Sequence, residues 1–300
     1  MLRRAVAVLF AFDAFALGQV GPQVPPVFRA EARIVVVHAA VRAGAGEMVT
    51  DLDRSAFTVF ENGKPQPIAL FLRDEVPVSL GIVIDNSGSM RLRRSAVEAA
   101  ALAFANASNP LDEMFVVNFA DKPRIDVPLT RDVRVLEAGI GRIDSIGGTA
   151  VRDAVSVAAT YLNEHATHDR RVLLLITDGK DNGSTLSRDQ VEAQAEQSGI
   201  TVCAIGLPHD DAAQAVRARR DLDELAEKTG GLAVHLANME NVESTAVQLA
   251  HYVRRQYTLG YTPLNQALDG SYRTIRVVVK GSRKLSVRTR TGYYATSTVR

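Results

Sequence analysis

The chain has 300 residues, 46% of them hydrophobic, which is enough for a large core and predicts about two domains. Its 35 basic and 34 acidic residues nearly cancel to a net charge of +1, which argues against a nucleic-acid-binding protein. The aromatic fraction is only 6%, without any Trp, which argues against a carbohydrate-stacking surface, and the single cysteine excludes an intramolecular disulfide.

Residues 1–18 have the pattern of a secretory signal peptide: a basic start, an apolar stretch interrupted by Asp13, and small residues up to Gly18. We expect cleavage after Gly18 and a secreted or periplasmic mature protein. An uncleaved anchor and a mistaken start are the alternatives. No segment reaches the ~20 apolar residues of a membrane helix, so we expect no span in the mature chain. Residues 19–28 form a Pro-rich leader.

Residues 29–75 have strand patterns without helical periodicity, which predicts the first part of a β domain. Two apolar runs flank Asn62-Gly63, a pair typical of the tight turn in a β-hairpin. Because proline cannot donate to a neighbouring strand, Pro65 and Pro67 place the second arm of this hairpin at a sheet edge.

Residues 76–255 alternate between strand and helix patterns, which predicts an α/β domain with a doubly wound, mostly parallel, Rossmann-like sheet. Val78–Ile84 is a continuous apolar run, typical of a strand covered on both faces. A late helix is expected at Leu222–Thr229. The preceding segment Pro208–Asp221 either contributes to partner choice or forms a plain surface helix.

Residues 256–300 return to strand patterns. Neither this segment nor residues 29–75 has enough strands for a stable sandwich alone. We therefore expect the two flanks to pair into one small immunoglobulin-like β-sandwich, into which the α/β domain of residues 76–255 is inserted.

Three oxygen-bearing side chains follow the first α/β strand at a spacing of two: Asp85, Ser87 and Ser89. Gly88 frees the backbone to turn, so these side chains can point at one spot. Carboxylate and hydroxyl oxygens suit Mg²⁺, Mn²⁺ or Ca²⁺ rather than zinc or copper. The alternative for Ser89 is that it caps the next helix and binds no metal.

Two further pieces accompany this triplet: Thr149 in Gly147-Gly148-Thr149, and Asp178 in Thr177-Asp178-Gly179 at the end of a second apolar strand. Together the three pieces resemble the metal-ion-dependent adhesion site of von Willebrand factor type A domains. The resemblance implies that the metal residues are Asp85, Ser87, Ser89, Thr149 and Asp178.

The flanking segments resemble those of a secreted bacterial family that contains such a domain and is abundant in acidobacteria. The resemblance is in the runs Glu61–Gln66, Arg255–Tyr257 and Thr289–Tyr294. It covers nearly the whole mature chain, and it implies an architecture more than a biochemical role.

Charge balance indicates the role of the predicted metal. Three hydroxyls are neutral, so at most two carboxylates surround a divalent cation, and a six-coordinate ion keeps an open or water-filled position. In adhesion-type domains of the resembled family, an Asp or Glu of a protein partner completes the coordination. We therefore expect an exported, non-enzymatic binding or adhesion module that holds Mg²⁺ first, with Mn²⁺ or Ca²⁺ as alternatives. The rival functions are a scaffold or assembly subunit of a cell-envelope complex and a metal-dependent hydrolase.

Several polar and charged residues lie beside the predicted site in the sequence. Arg91, Arg93 and Arg94 either steer an acidic partner towards the metal or form a solvated helix start. Asp181 and Asn182, just past the second carboxylate, are expected to support the metal residues from outside.

Overall fold

The computed structural model describes residues 33–44, 46–73, 75–141, 147–209, 211–281 and 284–296. The predicted signal peptide and Pro-rich leader lie outside the described residues. From Arg33 onward the chain forms one compact unit. Within the described ranges, no helix is both long enough and apolar enough to cross a membrane.

The helices, in chain order, are α1 (Arg94–Asn106), α2 (Val133–Ile140), α3 (Val151–His165), α4 (Arg188–Ser198), α5 (Ala212–Thr229) and α6 (Val242–Arg254). The strands of the α/β part are β6 (Ser79–Asp85), β7 (Glu113–Phe119), β8 (Pro123–Thr130), β9 (Arg171–Thr177), β10 (Thr201–Gly206) and β11 (Ala233–His235). The remaining strands are β1 (Val35–Ala43), β2 (Glu47–Met48), β3 (Phe57–Glu61), β4 (Lys64–Gln66), β5 (Ile68–Leu72), β12 (Tyr257–Tyr261), β13 (Tyr272–Val279), β14 (Leu285–Arg288) and β15 (Gly292–Tyr294).

A six-stranded sheet in the order β11-β10-β9-β6-β7-β8 is the centre of the α/β part. All neighbours are parallel except β8, which runs antiparallel to β7. The apolar faces of α1, α2 and α6 cover one side of the sheet, and those of α3, α4 and α5 cover the other. The predicted doubly wound, mostly parallel α/β fold is therefore confirmed.

Strand β6 is buried along its whole length, as its unbroken apolar run predicts. Residue 81 must be glycine, because an added Cβ would be only 2.5 Å from the Phe115 ring and 2.7 Å from Leu173. Polar side chains occur only at the two ends of the strand. Ser79 donates to Glu113 at 2.5 Å at the amino end, and Asp85 lies at the carboxyl end.

The two flanks of the α/β part pair with each other. Strand β1 is antiparallel to β12 and β14, and β3 is antiparallel to β13, so each sheet combines strands from both ends of the chain. The sheet orders are β14-β1-β12-β5, with β2 beside β1, and β15-β13-β3-β4. One apolar cluster, including Val37, Val59, Leu259 and Ile275, joins them. The immunoglobulin-like type and the domain bounds stay predictions.

The predicted hairpin turn is confirmed, because Asn62 and Gly63 have φ angles of 47° and 77°. Its second arm is divided into two strands. Strand β4 pairs with β3 at one sheet edge, and after Pro67 the chain crosses to form β5 at the edge of the other sheet. Both halves of the arm are edge strands, as the prolines predict.

Helix α5 begins at Ala212, ten residues before its predicted start at Leu222. Asp211 caps it by accepting from the backbone N–H groups of Ala213 and Gln214. The first turns lack a buried apolar stripe, and Val216 is 68% exposed, so the sequence has no helical periodicity there. Much of the segment Pro208–Asp221 is therefore a surface helix.

Candidate functional site

The two predicted carboxylate ligands lie side by side at one edge of the central sheet. Asp85 is the last residue of β6, and Asp178 directly follows Thr177, the last residue of β9. Strands β6 and β9 are parallel neighbours, with Ile84 opposite Ile176. The carboxyl ends of such strands form the crevice in which open α/β sheets bind ligands.

The turn after β6 gathers the first three predicted ligands. The backbone N–H of Ser87 donates to Asp85 Oδ1 at 2.9 Å, and a 3₁₀ turn, Gly88–Met90, follows. The hydroxyl oxygens of Ser87 and Ser89 are 3.1 Å apart. The three side chains therefore face one spot, as their spacing predicts.

Hydrogen bonds join this turn to the end of β9. The hydroxyl of Ser89 donates to Asp178 Oδ2 at 2.8 Å, and the hydroxyl of Thr177 donates to Asp85 Oδ2 at 2.6 Å. Asp178 Oδ1 accepts from the backbone N–H of Lys180 at 3.1 Å. Each carboxylate is thus held by a residue from its own segment and by one from the neighbouring segment.

The loop that carries Thr149 is held beside the same turn. The backbone N–H of Gly88 donates to the carbonyl of Gly147 at 3.4 Å. The N–H of Thr149 donates to Asn182 Oδ1 at 2.8 Å, and its carbonyl accepts from the N–H groups of Asn182 and Gly183 at 3.0 Å each. Asn182 therefore fixes the Thr149 backbone from both sides.

Asp121 is a site residue that the sequence reasoning missed. It lies just past β7, and its Oδ1 accepts from the backbone N–H of Gly148 at 2.5 Å. Gly147 has φ of 104°, and an added Cβ would lie 2.0 Å from Asp121 Oδ2, so the loop requires glycine there. The feature of the sequence that could have identified Asp121 is its position just after β7, a strand that neighbours β6.

The two carboxylates are buried, with Asp85 0% and Asp178 4% exposed. Burial raises the pKa of Asp85 to about 6, because hydrogen bonds from Ser87 and Thr177 offset only part of the desolvation. The negative charge of Asp178 raises it further. A divalent cation beside Asp85 would favour its ionised form.

The three arginines after the site differ in environment. Arg91 is exposed, whereas Arg93 Nη1 lies 3.8 Å from Asp178 Oδ2. Arg94 is only 6% exposed and its Nε donates to Glu98 at 2.6 Å, so neither the steering nor the solvated interpretation describes it. Its side chain is buried because α1 packs beside the end of α2, where Arg94 Nη2 donates to the carbonyl of Ile140.

The helix-capping alternative for Ser89 is also wrong. Neither the 3₁₀ turn, with Ser87 at its N-cap, nor α1, with Arg93 at its N-cap, has a side-chain capping bond. The Ser89 hydroxyl is directed at Asp178 instead.

The chemistry of the donor set fits a hard divalent cation. All five predicted side chains offer carboxylate or hydroxyl oxygens. Hydrogen bonds connect four of them, Asp85, Ser87, Ser89 and Asp178, and the fifth, Thr149, is on the adjoining loop. Oxygen ligands are those that Mg²⁺, Mn²⁺ and Ca²⁺ prefer. Within the described ranges, no three His, Cys, Asp or Glu side chains come together as a potential metal cluster, and the candidate site itself combines two carboxylates with hydroxyls.

Comparison with known proteins gives one domain-level sequence match. The sequence model of the von Willebrand factor type A domain matches residues 80–180. A search of curated proteins gives no match. The matched range contains all five predicted metal residues and Asp121.

Solved structures with a similar fold cover more of this chain than the sequence match does. A von Willebrand factor type A protein from Catenulispora acidiphila has a TM-score of 0.53 at 14% identity, covering 88% of this chain and 75% of its own. The vWF domain of the type V pili tip protein Mfa5 from Porphyromonas gingivalis has a TM-score of 0.50 at 14% identity, covering 60% of this chain and 95% of its own.

A third similar structure is proximal thread matrix protein 1 from the mussel byssus, described with zinc occupying its MIDAS motif. Its TM-score is 0.50 at 17% identity, with coverage of 64% of this chain and 49% of its own. At such identities these structures establish the fold and no more. Sequence match, sheet topology and structural likeness agree that the segment carrying the site, residues 80–180, belongs to a von Willebrand factor type A domain.

Proposed function

We propose that this protein holds a divalent cation at the carboxyl edge of its central sheet and uses it to bind an acidic residue of a protein partner. The metal residues are Asp85, Ser87, Ser89, Thr149 and Asp178. The observation that carries the proposal is the 2.8 Å contact from Ser89 to Asp178, which brings the ends of β6 and β9 to one point.

Charge and coordination number support an external ligand. At most two carboxylates face the divalent charge, and the three hydroxyls add oxygen atoms without adding charge, so the ion is not over-neutralised and can accept a further carboxylate. An octahedral ion coordinated by these groups, with Asp85 and Asp178 acting partly through water, keeps a position for another oxygen. A carboxylate from a partner's Asp or Glu is the hard, anionic group that suits this position. Mg²⁺ is the proposed ion, with Mn²⁺ and Ca²⁺ as alternatives.

The proposed role is binding or adhesion without catalysis. A scaffold or assembly subunit of a cell-envelope complex would use the same metal contact to hold its partner. The hydrolase alternative is less well supported. Hydrolysis would need a second metal or a general base beside the first metal, and no sequence motif for either was identified.

We also propose that the chain is exported and processed after Gly18. The support is the basic start, apolar stretch and small residues of the first 18 positions. Mass spectrometry of the N-terminal peptide from the periplasm or culture medium tests this, with a mature start at Gln19 as the expected result. A retained Met1 in the exported protein would contradict cleavage.

Calorimetry with Mg²⁺ tests the metal site. The mature chain is expected to bind one ion, and Asp85→Ala to lose binding while its circular dichroism spectrum stays that of the unmodified protein. Asp189→Ala, which removes an exposed carboxylate from the first turn of α4, is the matched control and should bind normally. Unaltered Mg²⁺ binding by Asp85→Ala would contradict the proposal.

Chelator-sensitive capture tests the partner contact. Immobilised protein is incubated with periplasmic extract in Mg²⁺ and then washed with EDTA. Proteins released by EDTA, and absent from a parallel Asp85→Ala column, are candidate partners. Replacement of the partner's exposed Asp or Glu residues by amides should then abolish capture at one position. Capture that persists in EDTA would contradict a metal bridge.

A further inference from the structure

A cavity of about 420 Å³ lies beside the candidate metal site and is separate from it. Helices α3, α4 and α5 and the segment Gly179–Asn182 line it, and none of the five predicted metal residues does. Its volume is within the range of about 300–1,000 Å³ typical of small-molecule pockets.

The inner wall of the cavity is apolar. Val155 of α3, Val191 of α4 and Leu222 and Leu225 of α5 line it, and all four belong to the buried cluster on this face of the sheet. Ala218 continues the wall, and its Cβ is 2.6 Å from where a Cβ on Gly179 would lie. A ligand that enters would therefore place an apolar body against the core of the domain.

The acidic residues that line the cavity are already paired. Asp181 Oδ2 lies 3.0 Å from Arg152 Nε, and Glu192 and Asp221 are each 2.9 Å from a nitrogen of Arg188. Arg152 thus neutralises Asp181. Three cations, Arg188, Arg220 and Lys228, balance Glu192, Asp221 and the adjacent Glu224, so the acidic residues leave little negative charge to repel an anion.

Two lining cations have no such partner. Lys180 and Arg217 form no ion pair within 4 Å in the part of the chain that the structure describes. Lys180 is half-buried and Arg217 is exposed, so both lie on the solvent side of the apolar wall. The cavity therefore combines an apolar interior with excess positive charge at its entrance.

We propose that this cavity binds a small amphipathic carboxylate of the medium-chain fatty acid class. The hydrocarbon chain packs against the apolar wall of α3, α4 and α5, and the carboxylate lies between Lys180 and Arg217. This inference is independent of the proposed metal-dependent function, since the two sites share no binding side chain.

Titration of the full mature chain with sodium octanoate in EDTA tests the proposal without involving the metal. Calorimetry should show one saturable site, and methyl NMR should show shifts for Val155, Val191 and Leu225. The comparison compounds are 1-octanol, which lacks the charge, and acetate, which lacks the chain. Each should bind at least about tenfold more weakly, because a charge-assisted hydrogen bond or a buried chain is lost.

A charge-neutral double variant, Lys180→Gln with Arg217→Gln, should weaken octanoate binding about tenfold or more. The matched control is Arg219→Gln, an exposed arginine of the same helix that does not line the cavity, and it should bind octanoate normally. Absence of saturable binding, equal affinity for 1-octanol, or unchanged affinity in the double variant would each overturn the proposal. Mg²⁺ calorimetry on the same samples reports the metal site separately.

Discussion

The hydroxyl of Ser89 and the carboxylate of Asp178 are in direct contact at 2.8 Å, although 89 residues separate them in sequence. This contact locks the turn after β6 to the end of β9. It is also the pair of oxygens that an incoming cation would have to engage together, so it is the most direct place to test the site.

We predict that Asp178→Asn and Ser89→Ala both weaken Mg²⁺ binding, with the larger loss for Asp178→Asn. The asparagine removes a negative charge from the metal environment, whereas the alanine removes only a neutral oxygen. We expect a loss of about tenfold or more for the charge change. Calorimetry at constant ionic strength measures both.

The matched control for this pair is Ser108→Ala, at the far end of α1, where the hydroxyl donates to the carbonyl of Phe104. It should leave Mg²⁺ affinity unchanged. If Ser89→Ala binds Mg²⁺ as tightly as the control, Ser89 is not a ligand.

We predict that Asn182→Ala reduces both stability and Mg²⁺ affinity. The substitution removes the acceptor of the Thr149 N–H. Because Asn182 is exposed and water replaces its side chain, the expected loss of stability is about 0.5–1.5 kcal/mol, the net value of an ordinary hydrogen bond. The affinity loss should resemble that of Thr149→Ala, because both changes act on the same ligand. Urea unfolding and calorimetry measure the two effects. Gln197→Ala, which removes an exposed amide from α4, is the control.

The Arg93→Gln variant should bind Mg²⁺ more tightly than the unmodified chain. The Arg93 guanidinium lies 3.8 Å from Asp178 Oδ2 and repels a divalent cation at that carboxylate. The gain should be a few-fold at low salt and smaller at high salt, because ions screen the repulsion. Arg91→Gln, at an exposed position, should have a smaller effect. Weaker binding by Arg93→Gln would contradict this account.

We expect Gly147→Ala to destabilise the protein by about 1–3 kcal/mol, because it combines a positive φ with a steric clash. Gly147 has φ of 104°, and its added Cβ would lie 2.0 Å from Asp121 Oδ2. Gly141→Ala is the control, because its φ is −74° and its added Cβ would be an ordinary 3.5 Å from the nearest atom. Thermal unfolding compares the two, and equal melting temperatures would contradict the prediction.

Cys203 should be unreactive in the folded protein. Burial raises the pKa of its thiol to about 11, so almost no thiolate is present near neutral pH, and thiolate is the reactive form. A chromogenic disulfide reagent, followed by absorbance, should react with the Cys203 thiol only after the protein is unfolded in guanidinium. Rapid labelling of the native chain would show that β10 opens.

The sequence predicts those features of the molecule that are determined by residues close together along the chain. The apolar run of β6 specifies a strand buried on both faces, and the spacing of Asp85, Ser87 and Ser89 predicts the turn that follows. Parallel strands bring Asp178 to the same edge. The resemblance to a known family supplied Thr149 as a fifth member, which spacing alone does not indicate.

Other features depend on contacts between distant segments and could not be predicted. The hydrogen bond from Gly148 to Asp121 could be predicted only by knowing that the segment carrying Gly148 lies beside the end of β7. The burial of Arg94 depends on the packing of α1 against its neighbours. The start of α5 lies where exposed residues leave no apolar periodicity, although Asp211 is a recognisable cap.

Six consecutive residues, Asp178–Gly183, combine three tasks. The first supplies a carboxylate, the next four line the neighbouring cavity, and the last two, Asn182 and Gly183, hold the Thr149 backbone. An insertion or deletion in this hexapeptide would damage all three at once. Diversification of recognition among related chains should therefore occur elsewhere on the same edge, at surface positions such as those of the first turns of α5.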